Sequence, residues 1–250
     1  MREAKRLLFF CDLGRTSYDD CHRLMLGLVG LRARGCVGDV VLITEHEHVY
    51  TLGRHARPDQ VFNDAVPVRT VERAGGPTYH GPGQLVAYPV IRLADWGLGP
   101  ADLVRALEAS VVSVLGELGI RSEPGSPSGR PGVWVDGRKI ASIGMAVRDG
   151  VSFHGVALNV SADLSMFRGI SPCGMSPDVM TSVERELGKR VGLEAVKPLF
   201  VREFSALLGA EPLAAQRREL ESGAVWTLLA VSRSHEGPRR VPALDDRRER

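Results

Sequence analysis

Two turn signals in quick succession do most to limit what this chain can fold into. Between Gly132 and Val160 three short runs, GVWV, RKIASIGMAV and VSFHGVALNV, are joined first by Asp136-Gly137 and then by Arg148-Asp149-Gly150. An Asp-Gly pair between extended runs favours a type I′ hairpin, because both central residues must take positive φ and the turn then matches the right-handed twist of the strands it joins. The reading is a three-stranded antiparallel meander. Helices surround it in sequence. From Ser17 to Arg34 the residues Tyr18, Cys21, Leu24, Met25, Leu28 and Leu31 recur at helical spacing and Gly35 closes the run. Pro100 opens a second helix whose Leu103, Val104, Leu107, Val111, Val114, Leu115 and Leu118 share a face before Gly119. Ser182 with Val183 and Leu187, and the stretch Val196 to Leu208, suggest two closing helices. VVLITEH, from Val40 to His46, is a β-branched run of strand length, and QLVAYPVIRL reads as a strand entered from a glycine-rich loop.

Composition excludes several classes. With 44% apolar and 25% charged residues among 250, the chain has the balance of a soluble globular protein. The apolar run Leu7 to Phe10 ends at Asp12, too short for a signal segment or a membrane span, so a cytoplasmic protein without a membrane partner is expected. A net charge of +2 lacks the concentrated basic stripe of a nucleic-acid binder. Cys11, Cys21, Cys36 and Cys173 show neither CxxC nor a cysteine-histidine pattern at zinc spacing, and His46, His48 and His55 lack a ligand partner at a recognisable spacing; no metal is expected. Neither GxxxxGK[ST] nor GxGxxG occurs. From about Ser232 the tail is charged, proline-containing and aperiodic, and the last ~19 residues are expected to be mobile.

Three features carry chemistry. Arg73-Ala74-Gly75-Gly76-Pro77-Thr78-Tyr79-His80-Gly81-Pro82-Gly83-Gln84 combines glycines that let a ligand approach backbone N–H groups with prolines that stiffen the path. A tight strand connection would explain Gly-Pro-Gly but not the flanking Arg73, Thr78, Tyr79 and His80. Cys173 stands between Pro172 and Gly174 on a stretch without periodicity. A thiol of ordinary pKa is mostly protonated at neutral pH and needs a nearby cation or base to act as a nucleophile; the alternative is a small buried hydrophobe. Lys139 is the candidate cation, a solvated strand lysine being the alternative. Only four of the 32 basic residues are lysines (Lys5, Lys139, Lys189, Lys197), and lysine differs from arginine chiefly in being able to release its proton. His80 is either a base for Cys173 or a wall of the pocket.

Taken together, RAGGPTYHGPGQ (Arg73 to Gln84), the GRKIASIG strand with Lys139, the FHGVALNV strand (Phe153 to Val160) and the ISPCGM loop with Cys173 resemble the lipoyl (octanoyl) transferases, which are similar in fold to lipoate-protein and biotin protein ligases. The resemblance spans roughly residues 5 to 210, with Ala74 where the family usually has glycine. It implies an α/β (α+β) catalytic domain of mixed β-sheets flanked by helices over residues 1–210, with 211–250 as a C-terminal extension. It implies Cys173 as the acyl-enzyme nucleophile, Lys139 as its activator, and an acyl pocket lined by Arg73, Ala74, Gly75, Gly76, Pro77, Thr78, Tyr79, His80, Ser142, Ile143, Gly144, Gly155, Val156 and Ala157. The donor would be octanoyl-acyl carrier protein, and the acceptors lipoyl domains of 2-oxoacid dehydrogenase E2 subunits and the glycine cleavage H protein. Thioester exchange followed by transfer to an amine is downhill, so neither ATP nor a metal cofactor is implied. An ATP-dependent lipoate or biotin ligase, a non-catalytic acyl or lipoyl-domain binding module and a thiol hydrolase are the competing readings.

Overall fold

In a computed structural model, which describes residues 6–63, 66–125, 131–171 and 177–222, the strands gather into two sheets. The elements run β1 (Arg6–Thr16), α1 (Tyr18–Ala33), β2 (Val40–His46), β3 (Val49–Leu52), β4 (Val68–Thr70), β5 (Pro77–His80), β6 (Gln84–Val90), α2 (Pro100–Glu117), β7 (Glu123–Pro124), β8 (Gly132–Val135), β9 (Arg138–Arg148), β10 (Val151–Asn159), α3 (Val183–Leu187), α4 (Leu193–Leu208), β11 (Ala210–Ala214) and α5 (Arg217–Ser222). Eight strands form the main sheet in the order β11-β1-β2-β6-β10-β9-β8-β7. Its β11–β1 and β1–β2 pairs are parallel and the remaining pairs antiparallel, so the sheet is mixed, as expected. The small sheet is β4-β3-β5.

The expected meander is β8-β9-β10. Asp136 and Gly137 adopt φ of 46° and 78°, and Asp149 and Gly150 φ of 52° and 76°, so both turns are two-residue connections with positive φ throughout. Arg148 belongs to the strand, not to the turn. Ser17 caps α1 through its side chain, which accepts from Asp20 N–H, and Gly35 follows its end at φ 71°.

Alternate residues of the central strands feed two cores. Leu8 and Phe10, Val41 and Ile43, Leu85 and Ala87, and Val156 and Leu158 face α2 and α4; Phe9 and Cys11, Val40 and Leu42, Val86 and Tyr88, and Phe153 and Ala157 face α1. Burial on both sides explains why these strands read as unbroken apolar runs. The expected boundary at residue 210 falls within this architecture. β11 pairs with β1, and Leu220 of α5 is buried in the α1-side core, so the packed fold continues past residue 210. Parallel pairing of segments some two hundred residues apart leaves no local sequence signal. The expected mobile tail lies outside the described residues.

One buried ion pair ties three segments together. Arg32 near the end of α1 donates to Asp39 just before β2 (Nε to Oδ1, 2.6 Å) and also to Asp95. Asp39 accepts further from Arg92 N–H and Trp96 Nε1, each at 2.9 Å. Arg32 and Asp39 are only 7% and 8% exposed, so removing the guanidinium strands a buried carboxylate. Arg32→Ala is expected to lower the unfolding free energy by about 3–5 kcal/mol. Urea unfolding followed by circular dichroism measures this, and a loss under about 1 kcal/mol, the surface-pair range, would show the pair to be dispensable.

Candidate active site

Strands β9 and β10 pair with Gly144 opposite Gly155, Ile143 opposite Val156 and Ser142 opposite Ala157. Gly155 is required within the sheet, where a Cβ would stand 2.2 Å from the Ala87 carbonyl oxygen of β6, and Gly144 leaves a bare place on the sheet surface. The glycine-rich segment lies across it, held by a hydrogen bond from Ala74 N–H to the Met145 carbonyl (2.9 Å). A Cβ at Gly144 would stand 2.9 Å from the Ala74 carbonyl oxygen, so this close crossing requires glycine. Beneath the segment is a small cavity of about 50 Å³ that opens to solvent. Arg73, Ala74, Gly75, Thr78, His80, Lys139, Ser142, Ile143, Gly144, Gly155, Val156 and Ala157 all line it. Tyr18 of α1, Tyr88 of β6 and His154 of β10 complete the wall.

The residues named from the sequence do not all face this space. Tyr79 turns into the small-sheet core, where its hydroxyl meets His48 Nδ1 at 2.8 Å and its ring packs on Tyr50 and Phe167. Gly76 and Pro77 belong to the frame; the Gly76 carbonyl accepts from Arg73. Arg73 itself is 7% exposed and spends its donors on the protein. Its Nη2 reaches the Thr51 carbonyl (2.6 Å) and hydroxyl (2.8 Å), and its Nη1 the carbonyls of Gly76 and Ala74. It staples the segment to β3.

Strand alternation separates the two cations at the meander's first turn. Arg138 points outward and forms a two-pronged pair with Glu186 (3.1 and 2.9 Å), whereas Lys139 points into the cavity at 3% exposure. The Lys139 ammonium donates to the Pro131 carbonyl (3.2 Å) and lies 5.4 Å from the centre of the Trp134 ring. Gly132 makes room for it. A Cβ there would meet Lys139 Cε at 2.7 Å, and its φ of 146° disfavours any side chain.

Cys173 lies outside the described residues, but the chain that follows it is anchored at Lys139. Met180 bridges to Lys139, and Thr181 N–H donates to the Lys139 carbonyl (2.9 Å). From there a buried polar chain runs back to the glycine-rich segment. Asn159 Nδ2 donates to the Thr181 carbonyl (2.9 Å), Gln84 Nε2 donates to Asn159 Oδ1 (3.0 Å), and Gln84 Oε1 meets His80 Nδ1 (3.2 Å). Gln84 and Asn159 are 1% and 2% exposed. The sequence signal was available, since a lone amide in an otherwise apolar strand must find buried partners.

Burial keeps the histidines and phenols of this region uncharged, beside the charged Arg73 and Lys139. It pushes the His80 imidazole well below its ordinary pKa, helped by the nearby charges of His46 and Arg73, and it pushes His46 down to about 4. It raises the phenols of Tyr18 and Tyr88. Elsewhere, burial pushes the thiols of Cys11 and Cys21 up to about 11 and about 12, which suits core hydrophobes and not nucleophiles.

Residues 21–205 match the lipoyl protein ligase A/B catalytic domain. The chain belongs to that family. A protein named "Probable octanoyltransferase" from Pyrobaculum aerophilum is 46% identical over 192 residues, covering 75% of this chain and 83% of its own. An octanoyltransferase of Syntrophobacter fumaroxidans is 44% identical over 194 residues, covering 74% and 84%. A lipoate-protein ligase A structure bound with ATP superposes with a TM-score of 0.69 at 16% identity, covering 94% of this chain and 97% of its own, a likeness of fold alone. The enzyme class expected from the sequence, lipoyl (octanoyl) transferase, agrees with these relatives. Among the described residues no helix is long and apolar enough to cross a membrane.

The neutral histidines generate a pH dependence. Their folded pKa values lie below the ordinary value near 6.5, so below about pH 6.5 the unfolded state binds more protons and stability falls with falling pH. For each histidine the loss is on the order of 1 kcal/mol per pH unit, down to its folded pKa. Urea midpoints compared between neutral and mildly acidic buffer should drop, and a His46→Gln, His80→Gln double variant should drop less. Midpoints that stay level would mean that neither ring is held neutral.

Proposed function

We propose that this enzyme transfers an octanoyl group from octanoyl-acyl carrier protein to a lysine of a lipoyl domain through a thioester on Cys173, in the cytoplasm and without ATP or a metal in the chemistry. The observation that carries it is Lys139, a buried lysine aimed into a mostly uncharged cavity and joined through its main chain to Met180 and Thr181, seven and eight residues after Cys173. The relatives named octanoyltransferase support the acyl length, and the acceptors follow the family: lipoyl domains of 2-oxoacid dehydrogenase E2 subunits and the H protein.

The chemistry divides into two half-reactions. Lys139 as an ammonium holds the Cys173 thiolate, which attacks the thioester carbonyl; a new C–S bond forms, the donor's C–S bond breaks, and its thiolate leaves with the proton from Lys139. Neutral Lys139 then takes a proton from the acceptor's amine as that amine attacks the Cys173 thioester, giving the amide and restoring the thiolate–ammonium pair. Arg73, Ala74, Gly75, Thr78, His80, Ser142, Ile143, Gly144, Gly155, Val156 and Ala157 would hold the alkyl chain, the small residues leaving space and neighbouring backbone N–H groups facing the oxyanion. Gly76, Pro77 and Tyr79 serve as frame.

Incubation with octanoyl-acyl carrier protein, without ATP, should add one octanoyl group to the intact protein, seen by mass spectrometry and mapped to Cys173. Cys173→Ser should lose the adduct, and Lys139→Arg, which keeps charge but not proton transfer, should slow turnover by about 10²–10⁴-fold. Strict ATP dependence would place the chain with the ligases, and release of free octanoate as the main product would make it a hydrolase.

A further inference from the structure

Behind the cavity wall three side chains from distant parts of the sequence converge. His22 of α1, Glu72 beside Arg73 and His154 of β10 each bring one ligand atom to within 4.8 Å of the others. Glu72 Oε2 lies 3.1 Å from His22 Nε2 and 3.6 Å from His154 Nε2. Nitrogen and oxygen atoms bound at ~2.0–2.2 Å to one cation stand roughly 3–3.5 Å apart, so these two separations need little adjustment.

His154 is the independent observation that points to a ligand. Its side chain is 2% exposed, and Nε2 is buried without a hydrogen-bond partner while aimed at the Glu72 carboxylate. Its backbone is held in the left-handed region (φ 56°), sparsely populated for a residue with a Cβ and retained where surroundings enforce it. Arg148 Nη2 bonds the other carboxylate oxygen, Oε1, at 3.3 Å and turns Oε2 toward the imidazoles, an outer contact of the kind that orients metal ligands.

We propose that His22 Nε2, His154 Nε2 and Glu72 Oε2 bind a divalent first-row transition cation of the zinc class, which clamps α1, the glycine-rich segment and β10 together. Two imidazoles and one carboxylate suit such a cation and leave positions for water. The cation stands beside the chemistry proposed above and takes no step in it; the inference holds or fails independently of Cys173. Neither neighbour spacing nor a motif announces this site, because its members lie fifty and eighty-two positions apart in the chain.

The test uses full-length protein stripped with chelator and carrying Cys173→Ala, so that the catalytic thiol cannot bind metal. Titration with cobalt(II) chloride, followed by visible absorption, should show one equivalent bound with d–d bands and no thiolate charge-transfer band; zinc chloride should displace it. His22→Asn, half-buried and outside the cavity lining, and Glu72→Gln should each weaken binding by at least about 10-fold, with circular dichroism confirming the fold, while His55→Asn should bind like the parent. A thiolate band, no saturable binding, or His22→Asn binding as tightly as the parent would overturn the proposal.

Discussion

The hydrogen bond from Ala74 to Met145 is the contact on which the site depends. It lays a segment from outside the main sheet directly upon it, and such a crossing is possible only where the strands below offer no side chains. Gly144 and Gly155 face each other at that place. Floor and roof of backbone leave a confined space beside the crossing, lined mostly by small and uncharged residues. Arg73 turns the crossing into a rigid one, since a guanidinium with five donors can satisfy several carbonyls of a loop at once.

The buried amides add a second constraint at right angles to the first. Gln84 and Asn159 sit on neighbouring strands β6 and β10 and are paired in register, so their side chains can form a continuous chain of donors and acceptors across the sheet. At one end it fixes the His80 ring and at the other the main chain of Thr181, hence of Lys139. Two sides of the cavity are thereby positioned by a single network inside a low-dielectric interior, where each lost link leaves an unsatisfied group. On either side of Cys173 the described chain is anchored: Ser171 N–H donates to the Gln60 carbonyl, and Met180 meets Lys139.

How much of this was legible in the sequence follows from the range of each interaction. The α1 cap at Ser17, the hairpins at Asp136-Gly137 and Asp149-Gly150 and the helix opened by Pro100 are decided within a few residues and could be read directly. Strand β1 could not, because a strand buried on both faces shows no alternation, and its partner β11 comes from the far end of the fold. At the site, Lys139 stood out as a rare lysine and Gly144 and Gly155 as small residues. The sequence gives no sign that Tyr79 points away from the cavity, that Arg73 is consumed by the loop it belongs to, or that His22 and Glu72 meet His154. Those facts depend on which face of a strand a residue occupies once register is set.

Arg138 and Lys139 show what that parity means for descent and design. The two neighbouring cations differ in fate only because a pleated strand sends successive side chains to opposite faces: one meets the half-buried Glu186, the other enters the cavity. The two-residue turn ahead of them therefore works as a phase setter. Lengthening it by one residue would preserve every amino acid of the motif yet exchange the roles of the pair, offering the interior a cation that never gives up its proton. Substitutions that keep positive φ at Asp136 and Gly137 leave this phase intact, whereas insertions and deletions do not, and the length of an exposed turn becomes tied to which cation faces the cavity.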